Sequence, residues 1–206
     1  MEPLSGIATA PATTLLLALI LGIGLLSLTK WPALIDRHLL RPHGIAQRGD
    51  WHTLITSGFI HADFAHLVFN SFTLWAFGVG LERHLGTPRY VALYGCGLLA
   101  SSLATWFIHR RQPAYASLGA SGAILAVLFA SILVFPRSSI FILPIPVPIP
   151  APLFALGYLG FSVFASRTRL GRVNHDAHIA GALTGVAFIA AIEPQAIGRA
   201  LAAWFG

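Results

Sequence analysis

One hydroxyl sits among residues too small to cover it in the stretch Leu118-Gly119-Ala120-Ser121-Gly122-Ala123-Ile124, which opens an apolar run reaching Phe135. Ser121 is the candidate nucleophile. A helix beginning here aims free backbone N–H groups and the positive end of its dipole at whatever lies beside that hydroxyl, as a developing oxyanion requires. The same Gly-Ala-Ser-Gly also suits a helix-packing patch or an N-cap, so a second group has to decide between them. Serine is a weak nucleophile until a base takes its proton, and histidine has a suitable pKa near neutrality. His66, Asn70 and His178 are further polar groups near the starts of apolar runs. Taken singly, each also fits a buried side chain bonded to a carbonyl, or glue between helices.

The elements that must position these groups are membrane spans. With 56% hydrophobic and 10% charged residues, and a mean hydropathy of +0.75, the 206-residue chain is far too apolar for a soluble domain. Six spans are expected, near 12–28, 64–81, 90–108, 117–135, 153–165 and 177–192. This is an all-α fold class, a polytopic bundle read as one domain over 1–206. The first run reads as a retained helix, having no basic residue before it and no small-residue cleavage site after it. The connection 29–58 mixes Trp31, Trp51, leucines and charges, so it is expected on or in the interface. Five prolines alternating with other residues from Pro144 to Pro152 forbid a helix and predict an extended, polyproline-like segment. The tail 194–206 is expected to be a short interfacial helix. The net charge of +6 is scattered through the connections, which argues for lipid headgroups and against nucleic acid. The single cysteine, Cys96, permits no intrachain disulfide.

Parity then brings the polar groups together. A chain crossing six times starts its second, fourth and sixth spans on one side, and those starts carry His66 with Asn70, Ser121, and His178. His66 and Asn70, four residues apart, share a helix face. Gly181 and Gly185, three and seven residues after His178, share its face and allow the sixth span to press against the fourth. This makes Ser121 the nucleophile and His178 the general base. His66 and Asn70 are left to donate to the oxyanion beside the Ser121 N–H. Asp176 is too near His178 in sequence to share its face, so a dyad is the simpler arrangement.

The chain resembles the rhomboid family of intramembrane serine proteases. The matching pieces are Phe59-Ile60-His61-Ala62-Asp63-Phe64-Ala65-His66 with Phe69-Asn70, the Gly78 to Gly86 stretch around Glu82, Gly119-Ala120-Ser121-Gly122, and Ala177-His178-Ile179-Ala180-Gly181 with Gly185. The resemblance implies a six-helix core with a water-filled cavity and a membrane-embedded first loop. It assigns the dyad to Ser121 and His178 and oxyanion binding to His66 and Asn70, and it places Phe69 at a lateral gate between spans two and five. Three positions depart from the family pattern. Trp51-His52 replaces a Trp-Arg pair, His84 stands where a basic residue usually follows Glu82 by two, and Leu125 replaces a tyrosine that packs under the catalytic histidine in some relatives.

The expected function is serine-type cleavage of transmembrane segments in protein substrates, with membrane lipids as the other partner. The alternative is a rhomboid-like pseudoprotease, or a scaffold that grips such segments without cutting. A metalloprotease using His61, His66 and His178 lacks a His-Glu-x-x-His pattern and an intramembrane Asp or Glu to complete a site, so neither metal nor cofactor is expected. The expected setting is a bacterial inner membrane, with the site facing outward as in bacterial relatives. The positive-inside rule argues the reverse: Lys30, Arg37, Arg41, Arg48, Arg110, Arg111, Arg167, Arg169 and Arg172 share the active-site side, against Arg83, Arg89, Arg137 and Arg199 opposite.

Overall fold

The computed structural model describes residues 9–142, 145–168 and 173–206; Pro144, Arg169 and Arg172 lie outside them. The main helices are α1 (Pro11–Thr29), α2 (Phe64–Leu85), α3 (Thr87–His109), α4 (Ser121–Val134), α5 (Ala151–Thr168), α6 (His175–Ile192) and α7 (Gln195–Phe205). Of these, α1, α2, α3 and α6 are long and apolar enough to cross a membrane, while α4 is apolar but only 14 residues long.

The shortness of α4 shapes the molecule. Every residue from Gly122 to Val134 is buried, making α4 the central post around which α2, α3 and α6 pack. At about 1.5 Å per residue it is roughly 13 Å shorter than the 23-residue α3. The helix expected from about Ser117 therefore starts four residues later, because Ser117 is drawn into a β-bridge with Leu40 and Gly119 takes φ +106°, which ends any helical continuation. Ser121 thus becomes the first helical residue, recessed among longer neighbours.

Close packing around α4 depends on missing side chains. A Cβ at Gly181 would collide with the Gly122 carbonyl oxygen, and one at Gly185 with the carbonyl oxygen of Ala126. At Gly181 and Gly185, α6 therefore lies backbone to backbone against α4.

The start of α1 lacks a capping side chain, and the carboxylate of Glu82 supplies the missing acceptors. Glu82 is 1% exposed and accepts from Ala12 N (2.9 Å), Thr13 N (2.7 Å), Thr13 Oγ1 (2.7 Å) and Thr87 Oγ1 (2.8 Å). One side chain thus ties the end of α2 to the beginnings of α1 and α3. Between α2 and α3 the chain reverses at Gly86, whose φ of +77° suits glycine.

The connection 29–58 folds into short helical turns, and its Leu40, Ile45 and Leu54 form a small core against Trp106 of α3. The all-α expectation needs one amendment. The Pro-rich segment is extended over 145–150 as expected, but it pairs as a hairpin, β1 (Ser139–Ile142) with β2 (Ile145–Pro150), in antiparallel register Ser139↔Pro150, Ile140↔Ile149 and Phe141↔Pro148. Pro152, expected in the extended run, instead enters the first turn of α5, where a missing N–H is tolerated. Alternating prolines leave every second residue with an N–H, which is enough for a two-stranded ladder with proline at the unbonded positions. The tail is helical, with Ala196 and Ala200 buried and Trp204 Nε1 donating to the Pro136 carbonyl at 2.9 Å.

Candidate active site

The first turns of α2, α4 and α6 open on one cavity of about 1590 Å³, lined by Ser121, His178, His66, Asn70 and Phe69 among others. All five residues singled out in the sequence therefore meet at one end of the bundle.

At the centre, Ser121 Oγ lies 2.7 Å from His178 Nε2. Ser121 is placed by the late start of α4, and His178 by the cap of α6. Asn174 forms that cap, accepting from Ala177 N at 3.0 Å through Oδ1, while its Nδ2 donates to Thr105 Oγ1 (2.8 Å) and Ser117 Oγ (2.9 Å). One residue thereby locks the start of α6 to α3 and to the strand leading into Ser121. An asparagine immediately before a helix is the ordinary N-cap signal, so the sequence carried this clue.

The other ring nitrogen of His178 meets the hydroxyl of Tyr158, 2.8 Å away on α5. The two rings are near parallel, at 27° with centroids 6.3 Å apart, and His175 closes the far side edge-on at 5.9 Å. Leu125 lies in the apolar cluster that the Tyr158 ring packs against. The tyrosine absent one turn after Ser121 is thus matched by one reaching the imidazole from a different helix. Asp176 turns away from the pair, as its position implied. Its Oδ2 is 2.9 Å from His109 Nε2, and its Oδ1 accepts from Ser166 Oγ. His109 also stacks on Tyr115 at 3.6 Å, and burial, followed by the Asp176 charge, raises the Tyr115 phenol to about 12.

On the α2 side, His66 and Asn70 flank Gly119, where a Cβ would press into the His66 ring and lie 3.7 Å from Asn70 Nδ2. Asn70 Nδ2 donates to His61 Nε2 at 3.0 Å. His61 is fully buried, and burial, followed by the neighbouring His66, pushes its pKa down to about 4. It is therefore a neutral acceptor near pH 7, and it fixes which way the Asn70 amide faces. Phe69, on the adjoining α2 surface, is 58% exposed and reaches the cavity edge.

These features define a class: a membrane-embedded helical bundle holding a hydrogen-bonded serine and histidine in a cavity recessed among its helices. Within that class the chain belongs to the rhomboid family, the Rhomboid domain model matching residues 48–195. It is 32% identical over 162 residues to Rhomboid protein 1, mitochondrial, of Saccharomyces cerevisiae, covering 74% of this chain and 47% of that protein. It is also 32% identical over 153 residues to RHOMBOID-like protein 12, mitochondrial, of Arabidopsis thaliana, covering 65% of this chain and 44% of the relative. Rhomboid protease GluP of Bacillus subtilis is 34% identical over 94 residues, 46% of this chain and 18% of that protein. The chain thus spans less than half the length of these curated relatives.

Proposed function

We propose that the protein is an intramembrane serine endopeptidase that cuts transmembrane segments of other membrane proteins through a Ser121–His178 dyad. The observation that carries this reading is the 2.7 Å approach of Ser121 Oγ to His178 Nε2 inside a cavity recessed among longer helices. Ser121 Oγ attacks the peptide carbonyl carbon and its proton passes to His178 Nε2, while the carbonyl π pair moves onto oxygen. The N–H groups at the start of α4, with His66 and Asn70, face the space where that oxyanion forms. Collapse of the adduct breaks the C–N bond, and the imidazolium proton goes to the leaving amine. Water, activated by the same histidine, then releases the acyl group.

In this reading α4 and α5 join the four long helices as further spans, giving six crossings in one membrane domain. The 29–58 connection lies in the interface, and Phe69 borders the side entry for substrate. Placement in a bacterial cell membrane is part of this proposal, and the mitochondrial relatives lend it no support.

The test is labelling by a fluorophosphonate probe in detergent. The native chain should be labelled at Ser121 and the Ser121→Ala variant should not. An unlabelled native chain would leave the scaffold reading in its place.

A further inference from the structure

Catalysis by a serine–histidine pair needs one tautomer of the base. To accept from Ser121 Oγ, His178 Nε2 must be unprotonated, which places the ring proton on Nδ1. In the other tautomer Nε2 carries the hydrogen, Ser121 loses its acceptor and no base faces it. Many serine hydrolases fix this choice with a carboxylate on Nδ1. Here the two carboxylates that line the cavity are engaged elsewhere: Asp176 is held by His109 and Ser166, and Asp63 caps α2, accepting from His66 N at 2.8 Å. The partner of Nδ1 is the Tyr158 hydroxyl, at 2.8 Å.

We infer that Tyr158 is the positioning residue of the dyad, its phenolic oxygen accepting from His178 Nδ1–H and so holding the imidazole in the tautomer that leaves Nε2 free for Ser121. This inference rests on the protease reading above. The phenol is suited to the role because its oxygen can accept one hydrogen bond while its own proton is left for a second acceptor. Ser162 is fully buried one turn along α5 and lies beside the phenol, where it can take that second bond. The ring packs with Phe129 at 6.1 Å and Phe154 at 5.6 Å, which fixes the direction from which the hydroxyl approaches. Tyr158 belongs to α5 whereas His178 and Ser121 belong to α6 and α4, so the bond makes ring orientation depend on a third helix. A neutral tyrosine also avoids burying a carboxylate in the bundle, where an ion without a full set of partners is costly. Proton bookkeeping is simple: Nδ1–H and the phenolic proton stay in place, and only the Ser121 proton moves, to Nε2.

The test compares the native protein, Tyr158→Phe and Ser121→Ala by the kinetics of inactivation with a fluorophosphonate probe, which separates reversible binding (KI) from bond formation (kinact). Tyr158→Phe keeps the ring and its stacking and removes only the hydroxyl. We expect kinact to fall about 10–100-fold, in line with loss of a hydrogen bond that orients a buried polar group, with KI within twofold and an unchanged melting temperature. A native-like kinact, or a raised KI with kinact intact, overturns the positioning role and leaves Tyr158 as packing. The Ser121→Ala arm tells the two failures apart: if it reacts as fast as the native chain, the protease reading itself falls.

Discussion

Replacing Glu82 with glutamine tests the clamp that joins three helix ends. The carboxylate accepts four hydrogen bonds, three of them from the uncapped start of α1, two of those from backbone N–H groups. Glutamine keeps the shape but offers one oxygen in place of two, and it turns an NH₂ toward donors, so at least two of those bonds are lost. Bonds to a charged group contribute about 1.5–3 kcal/mol each, and the charge at a helix N-terminus adds roughly 0.3–2 kcal/mol. Water reaching the end of α1 and side-chain relaxation return part of that loss, which leaves an expected destabilisation of about 2–4 kcal/mol. For a chain of this size that corresponds to a Tm lower by about 4–16 °C. Thr87→Val, which removes one donor and leaves the carboxylate in place, should cost about 1 kcal/mol, or roughly 2–4 °C. The assay is thermal unfolding in a mild detergent at pH 7, with amide hydrogen exchange read at Ala12 to Thr14. Exchange there should quicken in Glu82→Gln before it changes elsewhere. A Tm for Glu82→Gln within 2 °C of native, or protection at the start of α1 left intact, would refute the reasoning.

Three further outcomes are expected. Asn70→Ala should lower kcat by about 10²–10³ with little change in KM, measured on a single-spanning reporter in proteoliposomes; a raised KM with kcat unchanged would make Asn70 a binding or structural group. His61 sits near pKa 4 in the fold against about 6.5 unfolded, so its contribution to stability is complete above about pH 6.5 and is lost as pH falls toward 4. The full gap is worth about 3 kcal/mol, and the native-minus-His61→Gln difference in unfolding free energy should shrink by an amount of that order across the window; a flat difference contradicts it. For orientation, single cysteines in the 109–112 loop and, separately, in the tail of a Cys96→Ala chain are treated in intact cells with a membrane-impermeant thiol reagent. The loop should label and the tail should not, and the opposite pattern would establish the positive-inside orientation.

The residues that could be read ahead of the structure are those whose chemistry is rare inside a membrane. Ser121, His66, Asn70 and His178 stand out because a polar group there is costly, and Gly181 and Gly185 because their spacing matches one helix face. Tyr158 was hidden for the opposite reason: a tyrosine within an apolar run looks like ordinary packing, and only the relative rotation of α5 and α6 brings its hydroxyl to Nδ1. Glu82 reads as part of a charged turn, yet it is buried because α1 begins Ala10-Pro11-Ala12-Thr13 with no acceptor of its own. An uncapped helix start is a visible sequence signal, but the identity of its distant partner is not. Proline alternation reveals the extended backbone at 145–150, whereas pairing depends on Ser139–Ile142, four residues with no distinguishing pattern. The start of α4 moved from about 117 to 121 through the bridge of Ser117 to Leu40, a contact between segments 77 residues apart.

The central claim is that Ser121 and His178 act as a unit, and the most direct measurement is cleavage of a single-spanning reporter in proteoliposomes by the native chain, Ser121→Ala, His178→Ala and the double variant. The native chain should cut, and all three variants, folded as judged by their melting curves, should be inactive to about the same degree, because removing either partner removes the function of both. Substantial cleavage by a folded Ser121→Ala or His178→Ala variant would contradict it.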